Sequence, residues 1–189
     1  MIYVSLIGLI LFGVQADQTC DVVPSTLLQE PVLRVTGLYT NDSFGYSTKL
    51  PDGVQGYDDP DAATHHGFGV VTGDKPKSYI LVDGRANSLE YRTARQAGDQ
   101  FVRYLRDEGK AIESVAVKRS RLGSLPAVQV VVTYTCRRMQ YIAASSFALS
   151  PKKDLEFQVT LYAEAKRFER DRVVFDQLLT SWTYNGPSR

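Results

Sequence analysis

The densest set of side chains able to do chemistry lies in one stretch, Asp58-Asp59-Pro60-Asp61-Ala62-Ala63-Thr64-His65-His66. Carboxylates and imidazoles this close together can hold a divalent cation, or act as acid and base in hydrolysis. Asp58, Asp59, Asp61, His65 and His66 are therefore the metal candidates, and the two histidines are the only ones in the chain. The spacing argues for less. Adjacent residues on an extended chain point to opposite sides, so His65 and His66 do not readily meet one ion. Nor do the aspartates fit a calcium loop, which needs a glycine at its sixth position and a glutamate at its twelfth. The bland alternative is an Asp-rich turn ahead of a strand beginning near Gly67.

No catalytic residue can be assigned, because no G-x-S-x-G elbow marks a nucleophile. Gly67-Phe68-Gly69-Val70-Val71-Thr72-Gly73 lacks the G-x-G-x-x-G spacing and no helix pattern follows it, so no cofactor is expected. The chain has 189 residues, 43% hydrophobic and 23% charged, which is ordinary globular composition for one domain. Lys and Arg total 22 against 21 Asp and Glu, and a net charge of +1 argues against a dedicated nucleic-acid binder. Lys118-Arg119, Arg121, Arg137-Arg138 and Lys152-Lys153 do not form one patch and read as a solvated sheet edge or loops. Asn41-Asp42-Ser43 is an N-glycosylation sequon.

Met1 to Ala16 contains no charged side chain. Its apolar run, Ile2 to Val14, is 13 residues long. A membrane span needs about 20, whereas a secretory h-region has about this length. Val14-Gln15-Ala16 follows as a cleavage site, so the expectation is a signal peptide over 1–16, a lead-in over 17–31 and a folded domain over 32–189. The n-region has no Lys or Arg, which leaves a retained anchor or a buried strand as alternatives. The expected location is secreted or periplasmic, with no stable membrane span after cleavage. The expected partner is an envelope or extracellular protein or ligand.

Cys20 and Cys136 are the two cysteines. An exported chain with an even count permits a disulfide, and closing a loop of more than 100 residues is worth about 4–5 kcal/mol in the chain-entropy model. Cys136 also fits as a small buried hydrophobe, because it shares one face with Val128, Val130, Val132 and Tyr134.

The elements that must position these groups follow from periodicity. Strands are expected at Phe44–Leu50, Phe68–Thr72, Ser78–Val82, around Val115–Val117, at Ala127–Cys136, Met139–Leu149 and Leu155–Ala163. Leu122-Gly123-Ser124-Leu125-Pro126 and Ser150–Asp154 read as turns, and Pro51–Thr64 as the longest loop. The last four strands make an antiparallel meander. A first helix is expected with Asn87 as its cap, Glu90 closing a capping box, and Gly109 after its end. A second is expected over Phe168–Ser181, with Phe168, Val174, Phe175, Leu178, Leu179 and Trp182 on one stripe. The class is α+β, an antiparallel sheet flanked by helices.

Three segments carry a family resemblance. Phe44-Gly45-Tyr46-Ser47 running into Lys49-Leu50-Pro51-Asp52-Gly53 resembles the first hairpin of PsbP-like domains and their Mog-type relatives. The Arg121-Leu122-Gly123-Ser124-Leu125-Pro126-Ala127 turn before a long strand is similar, and Phe175 to Trp182 resembles their closing helix. The resemblance spans Tyr39 to Trp182. It implies an α/β/α sandwich, and binding or assembly rather than catalysis. PsbP proteins assist photosystem II and Mog-type relatives bind a small nuclear GTPase, but no motif here is tied to either task. The leading expectation is an exported non-enzymatic binding or assembly module. The alternative is an exported hydrolase or metal-dependent enzyme using His65 or His66 with the nearby aspartates.

Overall fold

The computed structural model describes residues 34–58, 66–73 and 78–187. The expected signal peptide, lead-in, Cys20, Asp59, Asp61 and His65 lie outside the described residues.

The described chain runs β1 (Arg34–Val35), β2 (Leu38–Asn41), β3 (Tyr46–Lys49), β4 (Gly56–Asp58), β5 (Phe68–Thr72), β6 (Ser78–Ala86) and α1 (Ala94–Asp107). It continues through β7 (Ala111–Leu122), β8 (Leu125–Cys136), β9 (Met139–Leu149), β10 (Leu155–Glu164), α2 (Phe168–Ser181) and β11 (Thr183–Tyr184). An eight-stranded antiparallel sheet has the order β1-β4-β5-β6-β10-β9-β8-β7, so the four-strand meander forms one half of it. β6 lies inside the sheet between β5 and β10, as its apolar residues on both faces require.

Each face has its own core. On one, Phe157, Val159 and Leu161 of β10 pack with Phe175, Leu178 and Trp182. On the other, Val130 and Val132 of β8 and Phe147 of β9 pack with Ala97, Phe101 and Leu105 of α1. The helices thus sit on opposite faces. The α2 side holds more than a helix: β2, β3 and β11 form a separate three-stranded sheet beside it. Tyr46 of β3 stacks on Trp182 with ring centroids 4.3 Å apart and planes 5° apart, which fastens the small sheet to the end of α2.

Several expected boundaries shift for local reasons. The loop expected over Pro51–Thr64 contains β4, a strand too short to show an alternating pattern. Leu125 and Pro126 belong to β8, and the hairpin loop shrinks to Gly123-Ser124. Gly123 has φ +55°, and a Cβ there would fall 1.8 Å from the Trp182 carbonyl oxygen, so glycine is required twice over. β7 is an edge strand with Lys118, Arg119 and Arg121 exposed, the arrangement that discourages sheet-to-sheet association.

The cap of α1 also differs. Asn87 does not cap the helix, because Glu90 takes a left-handed φ of +53° and breaks any helical run through it. Thr93 is the N-cap: its side chain accepts from Gln96 N–H, and the Gln96 side chain accepts from Thr93 N–H at 3.1 Å. Asn87 instead donates to the carbonyls of Tyr91 (2.9 Å) and Lys153 (2.8 Å), tying the pre-helix loop to the β9–β10 turn. Gly109 is the expected C′ residue at φ +73°, with its N–H on the Arg106 carbonyl and Lys110 N–H on Leu105, a Schellman motif. Replacing Thr93 by Ala should therefore lower unfolding free energy by about 1 kcal/mol, while Glu90→Gly should leave it unchanged or raise it. Urea denaturation followed by circular dichroism measures both; a larger loss from Glu90→Gly than from Thr93→Ala would contradict this assignment.

Candidate functional site

The described members of the sequence-level candidate set separate into two places. Asp58 ends β4, paired with Phe68 of β5, and His66 lies two residues before that strand. The His66 ring packs on Phe44 with centroids 4.3 Å apart. Its main chain is pinned: the carbonyl accepts from Asn41 Nδ2 (2.7 Å) and from the Tyr46 hydroxyl (2.7 Å), and the N–H donates to Asp83 Oδ1 (3.1 Å). Among the described residues, no three His, Cys, Asp or Glu side chains gather as a cation site would need. Asn41, the sequon residue, spends its amide on the His66 carbonyl and accepts the Phe44 N–H at 3.1 Å, so it locks a turn.

Cys136 is buried beside Tyr134 and Tyr141 at the end of β8. No cysteine among the described residues is free.

A different set of residues converges under the edge of α1. α1 lies chiefly over β8 and β9, and on the same face the strip made by β10 and β6 is left open. The pairings Glu156–Arg85, Gln158–Asp83 and Thr160–Leu81 place these side chains together there, with Phe147 opposite Gln158. The result is a cavity of about 420 Å³, within the usual range of about 300–1,000 Å³ for small-molecule sites. Its walls are aromatic: Tyr91, Phe101, Tyr104, Phe147 and Tyr162. Leu89 and Tyr104 are 65% and 51% exposed at its margin.

The floor is polar and internally satisfied. Arg85 donates from Nε to Glu156 Oε2 (3.1 Å) and from Nη2 to Glu156 Oε1 (2.9 Å). This is the fork-on-carboxylate geometry that only arginine provides. Arg85 Nη2 also reaches Gln158 at 3.4 Å, and Nη1 lies 3.9 Å from buried Asp83. Burial pulls the Arg85 pKa down, but the hydrogen bonds and charge of Glu156 outweigh it and raise the net value. Gln158 Nε2 continues to Thr160 (2.7 Å), whose hydroxyl meets Ser145 at 2.6 Å. Burial pushes the hydroxyls of Tyr91, Tyr104 and Tyr162 up from the usual tyrosine value, so they stay neutral at pH 7.

A second depression, about 900 Å³, lies between α2 and Lys49–Asp52. It is open and built mainly of exposed side chains, including Val173 at 57%.

Solved structures match this arrangement of elements. LpqN of Mycobacterium tuberculosis, described as involved in cell envelope biogenesis, aligns with TM-score 0.60 and 11% identity over 82% of this chain and 86% of its own. The Ran-binding protein Mog1p of Saccharomyces cerevisiae aligns with TM-score 0.52 and 9% identity over 82% of this chain and 97% of its own. The fold is Mog/PsbP-like. Cyanobacterial PsbP from Synechocystis is also similar, with TM-score 0.47 and 16% identity over 81% of this chain and 92% of its own. No family model and no curated protein sequence matches the chain. At this identity the Mog/PsbP-like likeness speaks for architecture alone.

Asp83, Arg85, Glu156 and Gln158 did not emerge from motif reading. The available signal was positional: charged or amide residues at alternate positions inside strands whose other residues are apolar. Such groups need buried partners. Removing one partner should expose that need. Arg85→Ala leaves the Glu156 carboxylate, 4% exposed, without its fork and should cost about 2–3 kcal/mol. The double change Arg85→Met with Glu156→Leu should recover most of that loss in the same denaturation assay. A double variant as unstable as Arg85→Ala would show that the pair is not what sets the cost.

Proposed function

We propose that the protein is a non-catalytic binding module that acts outside the cytosol, and that it holds a small ligand in the cavity between α1 and the β6–β10 strip. The observation that carries this reading is the combination of aromatic walls with a pre-paired polar floor. A floor whose hydrogen bonds are already made needs no rearrangement before a ligand enters, which reduces the ordering cost of binding.

Export is supported by the uncharged apolar start of the chain followed by Val14-Gln15-Ala16. No helix among the described residues is long and apolar enough to cross a membrane. LpqN, similar in fold, works in envelope biogenesis, a setting consistent with this reading. A disulfide between Cys20 and Cys136 in the exported form is part of this reading. Of the residues of the hydrolase or metal-dependent alternative, Asp58 and His66 are described, with the His66 ring on Phe44, while Asp59, Asp61 and His65 lie outside the described residues.

Purification from the exported fraction of its own host tests all of this together. Intact mass should show a chain beginning at Asp17, and a peptide joining Cys20 to Cys136 should appear only without reductant. Native mass spectrometry should show a small molecule bound without a covalent link, lost in a Gln100→Trp variant that fills the cavity. A retained first segment would refute export, and an empty protein that turns over a hydrolase substrate panel would refute the binding reading.

A further inference from the structure

The cavity lining carries the reading one step further, to the charge class of the occupant. Among the described residues the charged groups lining the cavity are Arg85 and Glu156, and they engage each other in a bidentate pair. A cation entering the site would meet no unengaged carboxylate, because both Glu156 oxygens are held by Arg85 and the side chain is 4% exposed. An anion would meet a guanidinium that already faces two carboxylates, Glu156 at 2.9 Å and Asp83 at 3.9 Å. Either ion would give up its hydration without an unpaired countercharge in return.

An uncharged molecule avoids that loss. Rings gain from offset or edge-on packing against Tyr91, Phe101, Tyr104 and Tyr162. A carbonyl or hydroxyl oxygen can accept from the half-exposed Arg85 guanidinium, and the Gln100 amide lies along the same wall. We infer that the cavity selects an uncharged, ring-bearing small molecule, with its rings against the aromatic walls and one oxygen toward Arg85. This rests on the binding reading given above.

Three fluorescent probes with one ring system separate the two claims. Neutral N-phenyl-naphthylamine, anilinonaphthalene sulfonate and the corresponding trimethylammonium compound are titrated into the mature protein, and Kd is read from the emission gain. The neutral probe should bind at least about tenfold more tightly than either charged analogue. Gln100→Trp should abolish its binding. Tyr104→Ala, at a half-exposed position that the fold tolerates, should weaken it by about fivefold, while Val173→Ala in the α2 depression should not change it. Equal or tighter binding of a charged analogue overturns the charge selection and leaves the binding reading in place. No emission gain with any probe overturns both. A neutral-probe signal untouched by Gln100→Trp and Tyr104→Ala places the probe elsewhere and overturns the assignment of this cavity.

Discussion

A sheet of eight strands is wider than any helix laid on it. Strands stand about 4.8 Å apart, and a helix with its side chains is about 10 Å across, so one helix covers two or three strands. Among the described residues each apolar face of this sheet has a single helix. On the α2 face the shortfall is met by the small sheet of β2, β3 and β11. On the α1 face no second element among the described residues spans the strip of β10 and β6. The chain responds by changing residue type there. The positions that face α2 are Phe157, Val159 and Leu161, while their neighbours on the other face are Glu156, Gln158 and Thr160. The cavity follows from partial cover, and its polar floor follows from the same shortfall.

The two faces are connected through hydrogen bonds at the β5 side. Trp182 stacks on Tyr46, the Tyr46 hydroxyl donates to the His66 carbonyl, and His66 N–H donates to Asp83, which lies behind Arg85 on the cavity floor. The residue after His66 must be glycine for this to close: a Cβ on Gly67 would fall 1.8 Å from the Val82 carbonyl oxygen. The sequence segments that carry the family resemblance supply Tyr46 and Trp182. They are therefore packing residues of the roof, which explains why they indicate architecture and say nothing about a ligand.

Strong local pattern made some elements legible to the residue. Phe68–Thr72, Met139–Leu149 and Phe168–Ser181 have the bounds that alternation or a helical stripe gives them. The N-terminus of α1 was not legible, because two capping boxes compete on paper, Asn87 with Glu90 and Thr93 with Gln96. The choice is made by a long-range contact, Asn87 with the Lys153 carbonyl, which no local window contains. The cavity was hidden for the same reason. Arg85 and Glu156 are neighbours only because β6 pairs with β10 in one register, and a motif search along the chain cannot see a pair formed across strands.

The ion pair on the floor also bears on why the cavity exists. A buried pair is a poor stabiliser, since apolar residues of similar volume often serve as well or better once desolvation is counted. Methionine at position 85 with leucine at position 156 would extend the α1 core across the open strip at little expected loss. Partial cover accounts for polar residues on this strip, but stability alone gives no reason for a paired Arg85 and Glu156 there. The proposed recognition role supplies one: the pair gives the floor fixed donors and acceptors that can orient a ligand. The surrounding network of Gln158, Thr160 and Ser145 holds that geometry in the strands themselves, so the proposed selection would need no moving loop.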